Sequence, residues 1–449
     1  MAVQLNHSDL KLPGASFTLA RCRVPSCFLM PAQEIAEPDD EGSVLLDIVV
    51  ERGRITSLRP SGRGNADTPP AVDAGGRQVW AALIDMHAHL DKGQVIPRAR
   101  PDGTLEGGLR LTAADRKHWS AEDLRVRMNF ALRCAYVHGV AAIRTHLDSH
   151  EGLAEGTWTV FRELQTAWRD RVTLQPVGMV PLASFRGPWG ERLANLVAEH
   201  GGVLGAVTDG LGTYEGAIGP ILDELLDRLL RVADERSLDV DLHVDQTDDP
   251  RVFALPHIAH AVSRTKFRGR VVCGHCVNLA LQPNDIAQRT IALAREAGLA
   301  FVTLPASMMY LQDRRAQRTP RWRGVTLAAE LRHAGLPVAV AGDNCRDAWF
   351  PFGDHDMLDT IQLAVRVFHF DNPIADAIAM AAPIPSDIIR GGTLGRIVEG
   401  GPADLLLLSA RTLNEAMCRP QADRITIRRG MRVTEKLPAF DELDLILDT

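Results

Sequence analysis

The sequence predicts an α/β fold: a (β/α)8 TIM barrel with a small β-sandwich domain formed by the N- and C-terminal segments. Three observations predict it. Eight apolar, β-branched runs alternate with amphipathic helical stretches from about residue 80 to about residue 395, the signature of strand–helix units in series. No G-x-G-x-x-G follows the first run, which disfavours a doubly wound sheet that binds a dinucleotide. Both ends of the chain are β-like, and domain termini often lie close in space.

The eight strand candidates are, in order, "QVWAALIDMHAH", "VAAIRTHLD", "VTLQPVGMVP", "VLGAVTDG", "DVDLHVD", "RVVCGHC", "AFVTLP" and "PVAVAGDN". Helical patterns separate several of them: residues 120–139, 155–171, 219–237 and 284–298. Ser120, followed by Glu122 and Asp123, gives the first helix a capped, acidic first turn. Gly298 stands just past the last, where a left-handed C-cap is expected. In the flanks, "SVLLDIVVERGRITSLRP" and "RIVEGGPADLLLLSA" read as short strands, and residues 60–71 read as a loop. The expected division is a composite β-rich domain of residues 1–80 and 396–449 around a barrel of residues 81–395.

Composition narrows the function classes. At 449 residues, with 24% charged side chains and a net charge of -7, the chain is a poor match for nucleic acid or an acidic membrane surface. No basic-then-apolar leader and no run of eighteen apolar residues is present, so a cytoplasmic protein is expected. Seven scattered cysteines suit reduced thiols better than a disulfide framework. Cys273 and Cys276 form a C-x-x-C, but it ends an apolar strand and has no second pair. Packing is the expected role of both.

The strand ends carry the chemistry. Side chains two apart on a strand share a face, so "IDMHAH" groups Asp85, His87 and His89. The fifth strand ends at His243, the sixth at His275 and the eighth at Asp343. Barrel active sites lie at the carboxyl ends of the strands, and inward-facing charges there are costly unless paired or metal-bound. Three imidazoles and a carboxylate suit Zn2+ or Fe2+ with a position open for water. The chemistry that follows is metal-assisted hydrolysis at a polarised C=N or C=O carbon, with Asp343 accepting the water's proton and His275 stabilising charge on the attacked group.

The segments "DMHAHLDKG", "RTHLD", "HVDQTDD" and "GDNCRDAWFPFGDHDML", together with His275, resemble the amidohydrolase superfamily. Within it they are similar to the cytosine deaminase-like and N-isopropylammelide amidohydrolase-like branch, and the likeness runs over nearly the whole chain. The resemblance implies one divalent metal ion, Zn2+ or Fe2+, with His87, His89, His243 and Asp343 as ligands and His275 beside the substrate. It also implies a small N-heterocyclic substrate, no nucleic-acid or membrane partner, and a homo-oligomer. Binuclear members use a modified lysine on the fourth strand, and "VLGAVTDG" has none.

Three departures from the resemblance matter. Cytosine deaminases carry a proton-shuttling glutamate three residues after the fifth-strand histidine, where this chain has Gln246, a side chain that does not titrate. Asn344 replaces the acid after the metal aspartate, and Leu182 stands near the place of a substrate-recognising glutamine. Cytosine is therefore a doubtful substrate. Gln246, Asn344, Trp349 and Leu182 are the expected substrate contacts, with Asp343 as proton carrier; Asp245, Asp248 and Asp249 are alternative relays, although a solvated acidic loop is the expected role of the last two. Asp241 shares the face of His243 and is expected to orient a ligand imidazole. The expected function is hydrolytic deamination of a pyrimidine- or triazine-like heterocycle. The alternatives are cleavage of a cyclic or acyclic amide without ammonia release, and a catalytically silent binding barrel.

Overall fold

The computed structural model describes residues 12–30, 36–62, 70–213 and 218–447. Part of the loop expected at 60–71 (residues 63–69) thus lies outside the described residues. Strands β1 (Phe17–Pro25), β2 (Ser43–Glu51), β3 (Arg54–Pro60) and β4 (Ala71–Asp73) form one sheet in the order β3-β2-β1-β4. The β2–β3 hairpin turns on Arg52 and Gly53, both at positive φ (50° and 77°), the conformation of a type I′ turn that matches strand twist. Glycine is required at the second position for another reason: a Cβ there would meet the Arg429 carbonyl oxygen at 2.3 Å.

β5 (Val79–Ala81) begins a second sheet. Its partners come from the other end of the chain: β14 (Leu405–Leu407), β15 (Ile425–Arg428) and β16 (Met431–Arg432), in the order β16-β15-β14-β5. The "PADLLLL" run supplies β14, and Leu406 pairs antiparallel with Trp80.

Between these flanks lie the eight barrel strands: β6 (Leu83–Ala88), β7 (Val140–Asp148), β8 (Thr173–Pro181), β9 (Val203–Val207), β10 (Val240–Val244), β11 (Val271–His275), β12 (Ala300–Thr303) and β13 (Val338–Val340). They form one parallel sheet in sequence order. A parallel bridge from Ala88 to Asp343, with the Asp343 amide donating to the His87 carbonyl at 2.8 Å, brings the last strand back to the first. The strands are buried on both faces, which is why they read as continuous apolar runs.

Helices α1 (Leu105–Asp115), α2 (Ala121–Val137), α3 (Ala154–Trp168), α4 (Trp189–Glu199), α5 (Ile218–Glu235), α6 (Leu255–Thr265), α7 (Asn284–Glu296), α8 (Pro305–Leu311) and α9 (Ala328–His333) connect the strands. Ser120 caps α2 by accepting from the Asp123 amide at 3.1 Å, and Gly298 follows α7 at φ 66°. The chain packs as two compact units. One holds residues up to Ile84, Arg133–Ala142 and Asp356–Leu437; the other holds Asp85–Leu132, Ile143–His355 and residues from Pro438 onward.

No described helix is long and apolar enough to cross a membrane. All seven cysteines are free thiols. Cys273 and Cys276 are buried, and burial pushes the Cys276 thiol well above its ordinary range, the condition of an unreactive packing cysteine.

Candidate metal centre and substrate cavity

Four strand-end atoms converge inside the second unit. His87 Nε2 lies 3.2 Å from His243 Nε2, which lies 3.3 Å from His89 Nε2. Asp343 Oδ1 is 3.2 Å from His89 Nε2 and 3.6 Å from His87 Nε2. A tetrahedral ion bound at about 2.0–2.1 Å would space its ligand atoms about 3.3 Å apart, close to these four separations.

The protonation states also fit a cation. Burial holds His87 and His243 well below the usual imidazole range and brings His89 down to about 4. Burial alone would raise the Asp343 carboxyl, but the close contact with His89, the nearby imidazoles and the Ser307 hydroxyl outweigh it and hold it at about 2. Neutral imidazoles beside a carboxylate are the forms that bind a divalent ion. The second ring nitrogen of His89 faces the His146 carbonyl at 3.3 Å, which leaves Nε2 as a lone pair. Ser307, on α8, donates to Asp343 Oδ2. Asp343 Oδ1, buried and without a hydrogen-bond partner, is left facing the imidazoles.

Two of these groups are placed by unusual backbone. His275 and Asp343 sit at φ 68° and 67°, a region L-residues seldom occupy outside functional turns. The His275 imidazole, pushed down to about 4 by burial, leaves Nε2 unpartnered, while its Nδ1 is 3.4 Å from Met308 Sδ. Asp85 stays out of the cluster. It accepts from the His87 and Gly342 amides at 3.3 and 3.1 Å and ties the first strand to the loop after the eighth.

Above the cluster opens a cavity of about 540 Å³ lined by His89, His243, His275, Gln246, Asn344 and Trp349, among others. Two amides in its wall are held alike. Gln246 Nε2 donates to Asp209 Oδ2 at 3.0 Å, and Asn344 Nδ2 donates to Asp347 Oδ2 at 2.7 Å. A carboxylate only accepts, so each amide presents its NH2 to the acid and keeps its carbonyl oxygen for another donor. Lys92 is buried and lines the cavity; it donates to Asp148 at 2.9 Å, while Arg116 donates to the same carboxylate at 2.6 Å.

Trp349 is fixed by α1. Its Nε1 donates to Thr112 at 3.0 Å, and its ring packs on Gly108 so closely that a Cβ there would meet it at 2.5 Å. Gly108→Ala should therefore lower stability by about 1–2 kcal/mol through overpacking, although helix propensity alone favours alanine by about 1 kcal/mol. Urea unfolding checks the sign; a more stable variant would show that the indole moves aside at no cost.

Several sequence expectations land elsewhere. Leu182 is buried in the turn after β8, and its neighbours Pro181 and Ala183 line the cavity instead. Asp245 accepts from the Ala254 and Leu255 amides at 2.7 and 3.2 Å, at the start of α6. Asp249 pairs with Arg251 at the surface and Asp248 is exposed, the solvated acidic loop expected of them. Asp241 does not touch a cluster imidazole. It pairs with His146 at 3.1 Å and Arg144 at 2.7 Å, and the His146 ring lies against His87, tilted by 32° with centroids 3.9 Å apart. His146, Asp209 and Ser307 are not among the sequence candidates. Asp209 had a usable signal, an acid at the end of "VLGAVTDG"; Ser307 had none.

Comparison with known proteins agrees with this geometry. The chain is 42% identical over 447 residues to a pterin deaminase of Rhizobium rhizogenes, covering 99% of this chain and 100% of that protein. It is 25% identical to N-isopropylammelide isopropyl amidohydrolase of Pseudomonas sp., over 71% of this chain and 75% of the other. The crystal structure of 5-methylcytosine deaminase from Klebsiella pneumoniae with phosphonocytosine superposes at a TM-score of 0.79, with 24% identity, over 94% of this chain and 98% of that one. The amidohydrolase family model matches residues 185–434. With that match and a relative 42% identical over its full length, the chain, with its cluster of histidines and aspartate at the strand ends, belongs to the amidohydrolase family.

Proposed function

We propose that this chain is a metal-dependent hydrolytic deaminase of amino-substituted nitrogen heterocycles, with pterin-like bicycles as its substrate class. The observation that carries the reading is the cluster of three neutral imidazoles and one carboxylate at the floor of a cavity of about 540 Å³. That volume lies within the roughly 300–1,000 Å³ typical of small-molecule sites. The substrate class is supported by the full-length similarity to a pterin deaminase.

His87, His89, His243 and Asp343 would hold one divalent ion, Zn2+ or Fe2+. When bound, such an ion brings the pKa of its water toward about 7. The chain's own groups do the rest. Asp343, anionic and fixed through Ser307, takes a proton from the attacking water. His275, neutral with a free Nε2, stabilises charge at the attacked carbon. The carbonyl oxygens of Gln246 and Asn344 accept from ring N–H and amino groups, which orients the heterocycle. Amide cleavage without ammonia release is not favoured, because the full-length relative is a deaminase. A silent barrel, its proton shuttle lost at Gln246, is not favoured for the same reason.

The test is ammonia release from pterin and from a panel of pyrimidines and triazines, with metal content measured on the same sample. Pterin should lose its amino group with one ammonia per turnover. A metal-loaded protein that releases ammonia from none of these compounds would overturn the reading.

A further inference from the structure

We propose that Asp209, paired with Gln246, carries the proton to and from the substrate ring, beside Asp343, and so takes over the part that a glutamate at position 246 would play. The inference rests on the deaminase reading above and adds a catalytic residue to it. Its basis is an elimination among the carboxylates of the cavity. Asp148 and Asp209 are the two that line it among the described residues. Asp148 is committed: Lys92 and Arg116 outweigh the effect of burial and hold it ionised, well below the ordinary carboxylate range. It cannot carry protons near neutrality.

Asp209 is in the opposite condition. It follows β9 at the fourth-strand end, is half-buried, and accepts from the Gln246 side chain at 3.0 Å and from its backbone amide at 3.3 Å. These donors are uncharged, so they do not lock the carboxylate as a cation would. Burial raises its pKa to about 6 against the pull of the two Gln246 hydrogen bonds. The titratable groups that feel its charge, Asp245 and Cys276, are buried and themselves pushed well upward, first by burial. Neither is a cation that would hold Asp209 ionised. A group titrating near the working pH is the best general acid or base.

The step balances as follows. Protonated Asp209 gives its proton to the ring nitrogen as water attacks the amine-bearing carbon and the C=N electron pair moves to that nitrogen. The C–O bond forms, and the proton lost by water is held by Asp343. That proton then passes to the amino group, and the C–N bond breaks to release ammonia. As the carbonyl forms, the hydroxyl proton returns to Asp209. Water and the heterocycle supply every atom, and nothing is oxidised or reduced.

Two variants of the full-length, metal-loaded enzyme test this with pterin as substrate. Asp209→Asn keeps an acceptor for Gln246 but cannot carry a proton. It should lower kcat by about 10²–10³-fold with KM changed by less than about threefold. Adding Gln246→Glu to that variant returns a carboxyl one hydrogen bond away and should recover at least about tenfold of the loss. Asp209→Asn with kcat within about threefold of wild type overturns the proposal, as does a double variant with no recovery. If the wild type deaminates nothing in the panel, the deaminase reading fails on its own account. Asp209 is then judged by carbon NMR: a carboxyl that titrates near pH 6 and is missing from Asp209→Asn supports a proton carrier. One in the ordinary carboxylate range rejects it.

Discussion

Asp343→Asn is expected to lower kcat by about 10⁴-fold and to leave the purified protein with well under one metal ion per chain. The substitution keeps size and shape, so the Ser307 contact and the barrel closure through the Asp343 amide are retained. What it removes is charge. Asp343 is the anion that pairs with both the His87 and His89 nitrogens among the described residues, and a neutral amide would offset none of a dication's charge. It also removes the acceptor for the water's proton. Loss of a general base alone costs about 10²–10⁴-fold, and weakened metal retention adds to it. Metal analysis with steady-state kinetics separates the two: excess metal should restore occupancy in part but leave kcat low. In the wild type, chelation should abolish turnover and metal add-back should return it. Full metal content and kcat within tenfold of wild type in Asp343→Asn would remove this residue from the centre of the chemistry.

Much of the barrel was legible because each strand is buried on both faces and so reads as an apolar run. Polar residues that interrupt such a run stand out, and that is why His87, His89, His243, His275 and Asp343 could be named from sequence. Where side-chain direction depends on a turn, the reading weakened. After Pro181 the chain enters a short 3-10 turn over Leu182–Arg186, and which neighbour faces the cavity follows from that geometry rather than from strand alternation. Asp245 was a natural relay candidate beside Gln246, yet its φ of 54° turns it toward the start of α6.

Helix α1 shows a different limit. "LEGGLRLTAAD" carries two glycines in its first turns, and glycine costs about 1 kcal/mol per position in a helix. Thr104 caps it by accepting from the Gly107 amide at 2.9 Å, and Gly108 is there because Trp349 packs against it. That reason lies more than two hundred residues away in the chain, where no local pattern reports it. Gln246 is similar. Alone it reads as a lost proton shuttle; beside Asp209, supplied by another strand end, it reads as half of a pair.

The largest stability effect is expected beneath the proposed metal centre, at Asp241→Asn. Asp241 is fully buried and pairs with Arg144 at 2.7 Å and His146 at 3.1 Å. Arg144 is itself buried, and its Nε donates to Gln175, a neutral group that cannot offset its charge. Neutralising Asp241 leaves a guanidinium uncompensated in the interior, which costs about 3–5 kcal/mol. Burial works against the Asp241 carboxylate, but His146 and Arg144 outweigh it and keep it below the ordinary range. A depressed pKa means that this stabilisation is present above the ordinary carboxylate pKa and is lost as pH falls through the folded value. Acid should therefore narrow the gap between wild type and Asp241→Asn. The damage should also reach the proposed metal centre, because Asp241 holds the His146 ring that packs against His87 at 3.9 Å, and loss of such support costs about 10–100-fold in metal affinity. Urea midpoints at neutral and acidic pH, with metal affinity on the same samples, check both effects. Replacing Arg144 by Met together with Asp241→Asn removes both charges and should cost less than Asp241→Asn alone. If the double variant is the less stable one, the pair is held by shape rather than by charge.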